Sequence, residues 1–123
     1  MIQLDTNFII HALRSGSDED AKLRTWLQSG DEVGVSAMAW AEFLCGPLTA
    51  EDRASAEALF PNVELLGADD AAKGAELFNK TGRRARSLAD CLIAAVAIRI
   101  GARIATRNLT DFEPFIAYGL RLI

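Results

Sequence analysis

The sequence predicts an α/β protein, a doubly wound, mainly parallel sheet of short strands with helices on both faces. Three observations point there. Apolar runs of strand length alternate along the chain with longer runs of helical period. Helix start and stop signals fall between them in regular order, and strands alternating with helices imply parallel pairing through crossovers. At 123 residues the chain has the length of one domain, residues 1–123, with no linker or repeat to divide it.

Each element has a local reason. Ile2–Leu4 reads as the first strand, and a helix follows over about Thr6–Leu13. Ser17 with Asp20 forms a capping box for a helix over about Asp18–Ser29. "EVGVS" supplies a second short strand, and Ser36 caps a helix through "AMAWAEFLCG" that Gly46 and Pro47 stop. Thr49 and Asp52 open another helix, which ends near Phe60. Asn62–Leu66 reads as a third strand, and Asp69 as the cap of a helix that reaches Lys80 and stops at Gly82. Ser87 and Asp90 have capping-box spacing before "LADCLIAAVAIRI", which Gly101 terminates. Arg103–Ala105 is a fourth strand and Arg121–Leu122 a short fifth.

Composition narrows the function. Half of the chain is apolar and 24% charged, an ordinary globular balance. The apolar stretch Leu92–Ile98 is far too short to span a bilayer. The opening residues lack the basic region and cleavage site of a secretory signal, so a cytoplasmic protein without membrane contact is expected. Cys45 and Cys91 lie 46 positions apart in apolar runs and read as buried thiols rather than a zinc or redox pair. A net charge of −4 argues against a protein that coats nucleic acid, though not against one that acts on it at a locally basic surface. Lys80–Ser87 holds four of the 13 cations.

Three carboxylates stand out. Asp5 is the only charge in the first 13 residues, Glu42 the only one from Val33 to Ala50, and Asp90 the only one from Ser87 to Ile98. Asp18, Glu19 and Asp20, by contrast, sit in solvated company. An ionised carboxylate in apolar surroundings needs a proton, a cationic partner or a metal. Singly, each has a plain structural explanation: Asp5 as a helix cap, Glu42 as a polar helix face, Asp90 as the acid of a capping box. Their placement argues for more. In a parallel α/β sheet, strand C-termini and helix N-termini share the edge where ligands bind. Asp5 ends the first strand, Asp90 lies in the first turn of its helix, and Asp111 follows the fourth strand in "ATRNLTDFE". Glu42 lies about 9 Å along its helix at ~1.5 Å per residue, so its longer side chain must reach the others. Clustered carboxylates offer only oxygen and therefore favour a hard cation, Mg²⁺ or Mn²⁺, over zinc.

The basic residues Arg83, Arg84 and Arg86 precede the Asp90 helix, and Arg107 follows the fourth strand. They read either as solvated loop or as contacts to nucleic-acid phosphates. His11, the single histidine, lies six positions past Asp5 on an apolar helix and reads as a packed or surface residue. Trp26 and Trp40 are at helix-core spacing. The apolar positions Leu23, Trp26 and Leu27, and Leu59 and Phe60, read as core or as a homodimer contact.

"LDTN", "AEFLCG" around Glu42, "DCLIAAVA" from Asp90 and "TRNLTDF" around Asp111 together resemble the PIN-domain ribonucleases, and among them the VapC-type toxins of bacterial toxin–antitoxin modules. The resemblance covers essentially the whole chain. It implies a PIN-like α/β/α sandwich and Mg²⁺-dependent cleavage of single-stranded RNA regions. It also implies an acidic site of Asp5, Glu42, Asp90 and Asp111, with Asn7, Thr106 and Asn108 as supporting polar residues, and a cognate antitoxin protein as partner. A metal-activated water would be the nucleophile, leaving a 5′-phosphate and a 3′-hydroxyl. Rival folds fit poorly. A receiver domain needs an acceptor Asp after its third strand and a late lysine, and the lysines here are Lys22, Lys73 and Lys80. A haloacid-dehalogenase-like phosphatase needs DxD where this chain has Asp5-Thr6-Asn7. A catalytically silent PIN-fold module that binds RNA or protein is the alternative.

Overall fold

A computed structural model describes residues 1–82 and 88–123. The chain runs β1 (Ile2–Leu4), α1 (Thr6–Ala12), α2 (Asp18–Gln28), β2 (Val33–Gly34), α3 (Ala37–Cys45), α4 (Ala50–Leu59) and α5 (Ala68–Lys80). It continues through α6 (Leu88–Ile100), β3 (Arg103–Ala105), α7 (Leu109–Phe112), a 3₁₀ helix (Glu113–Tyr118) and β4 (Arg121–Leu122). The strands form one parallel sheet in the order β2-β1-β3-β4. In the centre Ile2, Gln3 and Leu4 of β1 face Arg103, Ile104 and Ala105 of β3. Successive strand residues point to opposite faces, and Ile2, Gln3 and Leu4 are all buried, so the sheet is covered on both sides.

The caps follow the sequence. The Ser17 hydroxyl accepts from the Asp20 amide at 3.0 Å, Ser36 from Ala39 at 3.3 Å, and Thr49 from Asp52 at 3.1 Å. Each satisfies an amide that the first helical turn leaves without a partner. Ser87, Arg83, Arg84 and Arg86 lie outside the described residues.

Three expectations need correction. The strand expected over Asn62–Leu66 is a single parallel bridge between Glu64 and Ser36. The Glu64 amide donates to Val35 O at 2.9 Å and its carbonyl accepts from Ala37 N at 2.8 Å. α3 begins directly after Ser36 and leaves no longer edge to pair with, and Leu65 faces solvent. The cap of α5 is Gly67 rather than Asp69: the buried Asp70 carboxylate accepts from the Gly67 amide at 3.0 Å. Asp70 also takes Arg99 Nε of α6 at 2.8 Å, while Arg99 Nη2 donates to Leu65 O. Cys45, expected inside, is exposed at the end of α3, whereas Cys91 is buried.

α5 and α6 pack closely because Gly74 has no side chain, and a Cβ there would stand 2.6 Å from Leu92 Cδ2. The core gathers Leu4, Phe8, Phe43, Leu77, Ile93, Ile104, Phe112 and Phe115. Trp26 stacks on Phe8 at 5.6 Å and Trp40 packs on Phe43, as core spacing implied. Leu23 and Phe60 are core residues, whereas Leu27 and Leu59 remain exposed. Among the described residues no helix is long and apolar enough to cross a membrane.

Candidate active site

Asp5 sits where β1 ends and α1 begins, and it serves both. Its Oδ1 accepts from the Phe8 amide at 2.9 Å, capping α1, and its Oδ2 accepts from the Thr106 hydroxyl. β1 and β3 lie side by side with Leu4 opposite Ala105, and the Asp5 amide donates to Ala105 O at 3.2 Å. Pairing of the two strands therefore brings Thr106 beside Asp5 across 101 positions of sequence. The side chain of Asp5 is nearly inaccessible to solvent. Burial raises its pKa against the lowering hydrogen bonds from Thr106 and Phe8, and Glu42 and Asp111 raise it further. A carboxylate has about four lone-pair directions. Two of these are taken by protein donors, and Asp5 is among the residues that line the pocket.

Glu42 reaches the same place from the body of α3. The Thr6 hydroxyl donates to its Oε1 at 2.8 Å, so the first turn of α1 orients a carboxylate carried by α3. Asp90 arrives in the first turn of α6 and is partly buried. Its pKa is raised from 3.8 to about 7, first by burial and then by Asp111, Glu42 and Asp5. Asp111 stands in α7 rather than in a plain turn. It is exposed, yet close enough to act on both Asp5 and Asp90.

One pocket is lined by Asp5, Thr6, Asn7, Glu42, Asp90, Ile93 and Asn108. Three of the four expected acids thus share its wall and Asp111 flanks them. Of the polar neighbours, Asn7 and Asn108 line the pocket, while Thr106 works from behind by holding Asp5. The Thr106 Oγ1 also accepts from the Asn108 amide at 2.9 Å. Thr6 and Ile93 were not singled out in the sequence. Thr6 carried a faint signal, as a hydroxyl placed between Asp5 and Asn7. Arg107 does not face an open surface alone. Its Nε pairs with Glu19 of α2 at 2.9 Å, and its Nη1 meets His11 Nε2 of α1.

Among the described residues none of the four acids has a Lys or Arg in ion-pair contact. Their mutual repulsion is therefore uncompensated within that set, the condition a cation relieves. Among the described residues no three acidic, histidine or cysteine side chains stand together so as to hold a metal ion by themselves, so an ion here would rely on one or two carboxylates with water or substrate oxygens. An open, all-oxygen site suits Mg²⁺ or Mn²⁺, since Mg²⁺ keeps several waters and is usually held by one or two carboxylates plus substrate phosphate. The donor set fits such an ion.

The PIN domain family profile matches residues 2–113. The chain belongs to the PIN-domain family and, within it, to the VapC-type ribonucleases. Ribonuclease VapC11 of Mycobacterium tuberculosis (strain ATCC 25618 / H37Rv) is 34% identical over 121 residues, covering 92% of this chain and 90% of the relative. The fold is similar to that in VapBC2 from Rickettsia felis bound to a promoter DNA fragment, with a TM-score of 0.77 at 20% identity. That similarity covers 100% of this chain and 98% of the other. FitAcB from Neisseria gonorrhoeae is similar at a TM-score of 0.71 and 27% identity, covering 100% and 97%.

Proposed function

We propose that the chain is a Mg²⁺-dependent endoribonuclease (Mn²⁺ serving as well) and the toxin of a type II toxin–antitoxin pair. The observation that carries the chemistry is one pocket walled by Asp5, Glu42 and Asp90, flanked by Asp111, with no cation paired to them among the described residues. When bound, the ion would supply Lewis acidity at the scissile phosphate and at the attacking water. This chain's residues hold and orient. Thr106 and the Phe8 amide fix Asp5, and Thr6 fixes Glu42, so these two carboxylates present set oxygens to the pocket. Asn7 and Asn108 supply amides along the wall, suited to phosphate and ribose oxygens. The relatives named ribonuclease support RNA as the substrate, and the toxin–antitoxin complexes among the structural neighbours support a cognate antitoxin protein as partner. We place the enzyme in the cytoplasm, where both would be met, as a homodimer for which exposed Leu27 and Leu59 offer contacts.

The test is incubation of the purified protein with structured RNAs, in Mg²⁺ and in chelator, with the cut ends mapped. Cleavage in Mg²⁺ alone, with 5′-phosphate and 3′-hydroxyl ends, is expected. Absence of Mg²⁺-dependent cleavage across the RNAs, with RNA still bound, would leave the silent binding module. Sedimentation at micromolar concentration checks the dimer.

A further inference from the structure

Arg107 lies between two residues whose bonds shape the acidic site. On one side Thr106 donates to Asp5 and accepts from the Asn108 amide. On the other, Asn108 lines the pocket and its carbonyl accepts from the Asp111 amide at 3.0 Å, opening the helix that carries Asp111. Residues 106–108 belong to no strand or helix, so the backbone ladder does not hold them. Besides the bonds of Thr106 and Asn108, the Arg107 side chain ties them to α1 and α2. Its Nε meets Glu19 Oε1 at 2.9 Å and its Nη1 meets His11 Nε2. Because His11 Nε2 takes an Arg107 N–H, its Nδ1 carries the proton and donates to Asn7 O at 2.8 Å. The chain of contacts therefore joins Glu19, Arg107, His11 and Asn7, and ends at a residue that lines the pocket.

We infer that Glu19 and His11 are positioning residues for the acidic site: they clamp Arg107, and through it set Thr106, Asn108 and the start of α7. This rests on the ribonuclease reading above, though its structural half does not. An exposed ion pair would carry little of this load. Here the Glu19 side chain is only 13% exposed against 44% for Arg107, and the guanidinium is engaged at two nitrogens. The planar fork suits that job as lysine's single ammonium would not. The same engagement argues against Arg107 as a phosphate contact, because its charge already faces a mostly covered carboxylate. Glu19 thus differs from Asp18, which is exposed on the same first turn.

The experiment compares wild type with Glu19→Ala, His11→Ala, Arg107→Ala, Arg107→Lys, the double alanine variant Glu19→Ala with Arg107→Ala, and the exchange Glu19→Arg with Arg107→Glu. Amide hydrogen exchange is followed in chelator, and RNA cleavage in saturating Mg²⁺. Glu19→Ala and Arg107→Ala are expected to speed exchange at the Asn108 and Asp111 amides at least about tenfold, with α5 and α6 amides unchanged. Their kcat should fall roughly 10- to 100-fold with KM nearly constant. The double alanine variant should be no worse than either single one, and the charge exchange should restore part of the loss. Arg107→Lys should behave like Arg107→Ala. If Glu19→Ala does not fold, Glu19→Gln, which keeps the shape and one acceptor, should show the same losses more weakly. Unchanged exchange at Asn108 and Asp111 overturns the clamp. So does a raised KM with a salt slope lower by about one and kcat intact, the signature of a phosphate contact. Absence of cleavage by wild type would sink the ribonuclease reading while the exchange data still decide the clamp.

Discussion

Replacing Asp90 by asparagine in excess chelator should make the protein more stable, and more so at higher pH. The Asp90 carboxyl titrates near 7 in the folded chain against an ordinary 3.8, first because it is buried and then because Asp111, Glu42 and Asp5 surround it. The unfolded chain releases that proton near pH 4, the folded chain near pH 7. Between those values the folded state binds more protons, so its stability falls as pH rises. Below pH 4 the penalty is absent, and above pH 7 it is complete. At ~1.4 kcal/mol per pH unit the gap sets an upper bound of about 4 kcal/mol. Asp90 is only partly covered, so solvent screening reduces this to about 1–3 kcal/mol. For a chain of this size about 1 kcal/mol corresponds to ~4 °C in melting temperature. The assay is circular dichroism melting of wild type and Asp90→Asn in EDTA at low salt, at pH 8, 6 and 4.5. The variant should melt about 4–12 °C above wild type at pH 8, and the difference should shrink at pH 4.5. Mg²⁺ at pH 8 should then raise the wild type more than the variant. Equal melting at pH 8, with no shift by Mg²⁺, would show that the carboxylates do not repel and that no cation binds among them.

Asp5→Asn should abolish RNA cleavage while leaving α1 intact, because asparagine caps a helix as well as aspartate does; gel assays and circular dichroism together check this. Thr106→Val should lower cleavage roughly 10- to 100-fold, with a weaker apparent Mg²⁺ affinity read by the melting shift, since it frees the Asp5 Oδ2. Asp70→Ala should cost about 1–2 kcal/mol in urea unfolding through the lost cap on Gly67. Although burial raises the Asp70 pKa, the Arg99 and Gly67 hydrogen bonds more than offset it and hold it below 3.8. Its stabilising effect should therefore persist above pH 4 and fade as pH falls through the folded value, so wild type and Asp70→Ala should converge in acid.

The acids were legible because a lone charge in an apolar run is rare, and rarity is a signal that one sequence can carry. Asp5, Glu42 and Asp90 are such charges, and the pocket contains all three. The caps at Ser17, Ser36 and Thr49 were legible because a cap is a bond to a residue three positions on. Where the deciding partner is distant or a neighbour looks alike, the reading failed. Asp69 and Asp70 are adjacent and identical in type, and only the position of Arg99, on the next helix, makes Asp70 the one that turns inward. The edge segment Asn62–Leu66 has strand composition, but the start of α3 takes away the edge it would pair with.

Glu19 is the sharpest case. It sits in "DED" at the start of a helix, where acids are expected for their interaction with the helix dipole. Nothing within its own helix separates it from its neighbours, because its partner Arg107 comes from the far end of the chain, as does the contact from Arg107 to His11 across 96 positions. The same β1–β3 pairing that sets Thr106 against Asp5 also carries Arg107 over α1 and α2. The acids of the pocket announce themselves as lone charges in apolar runs, and the residues bonded behind them are hidden by being paired. Single charges in apolar runs therefore point to the acids that line such a pocket and miss the bonds behind them, which only the register of the central strands reveals.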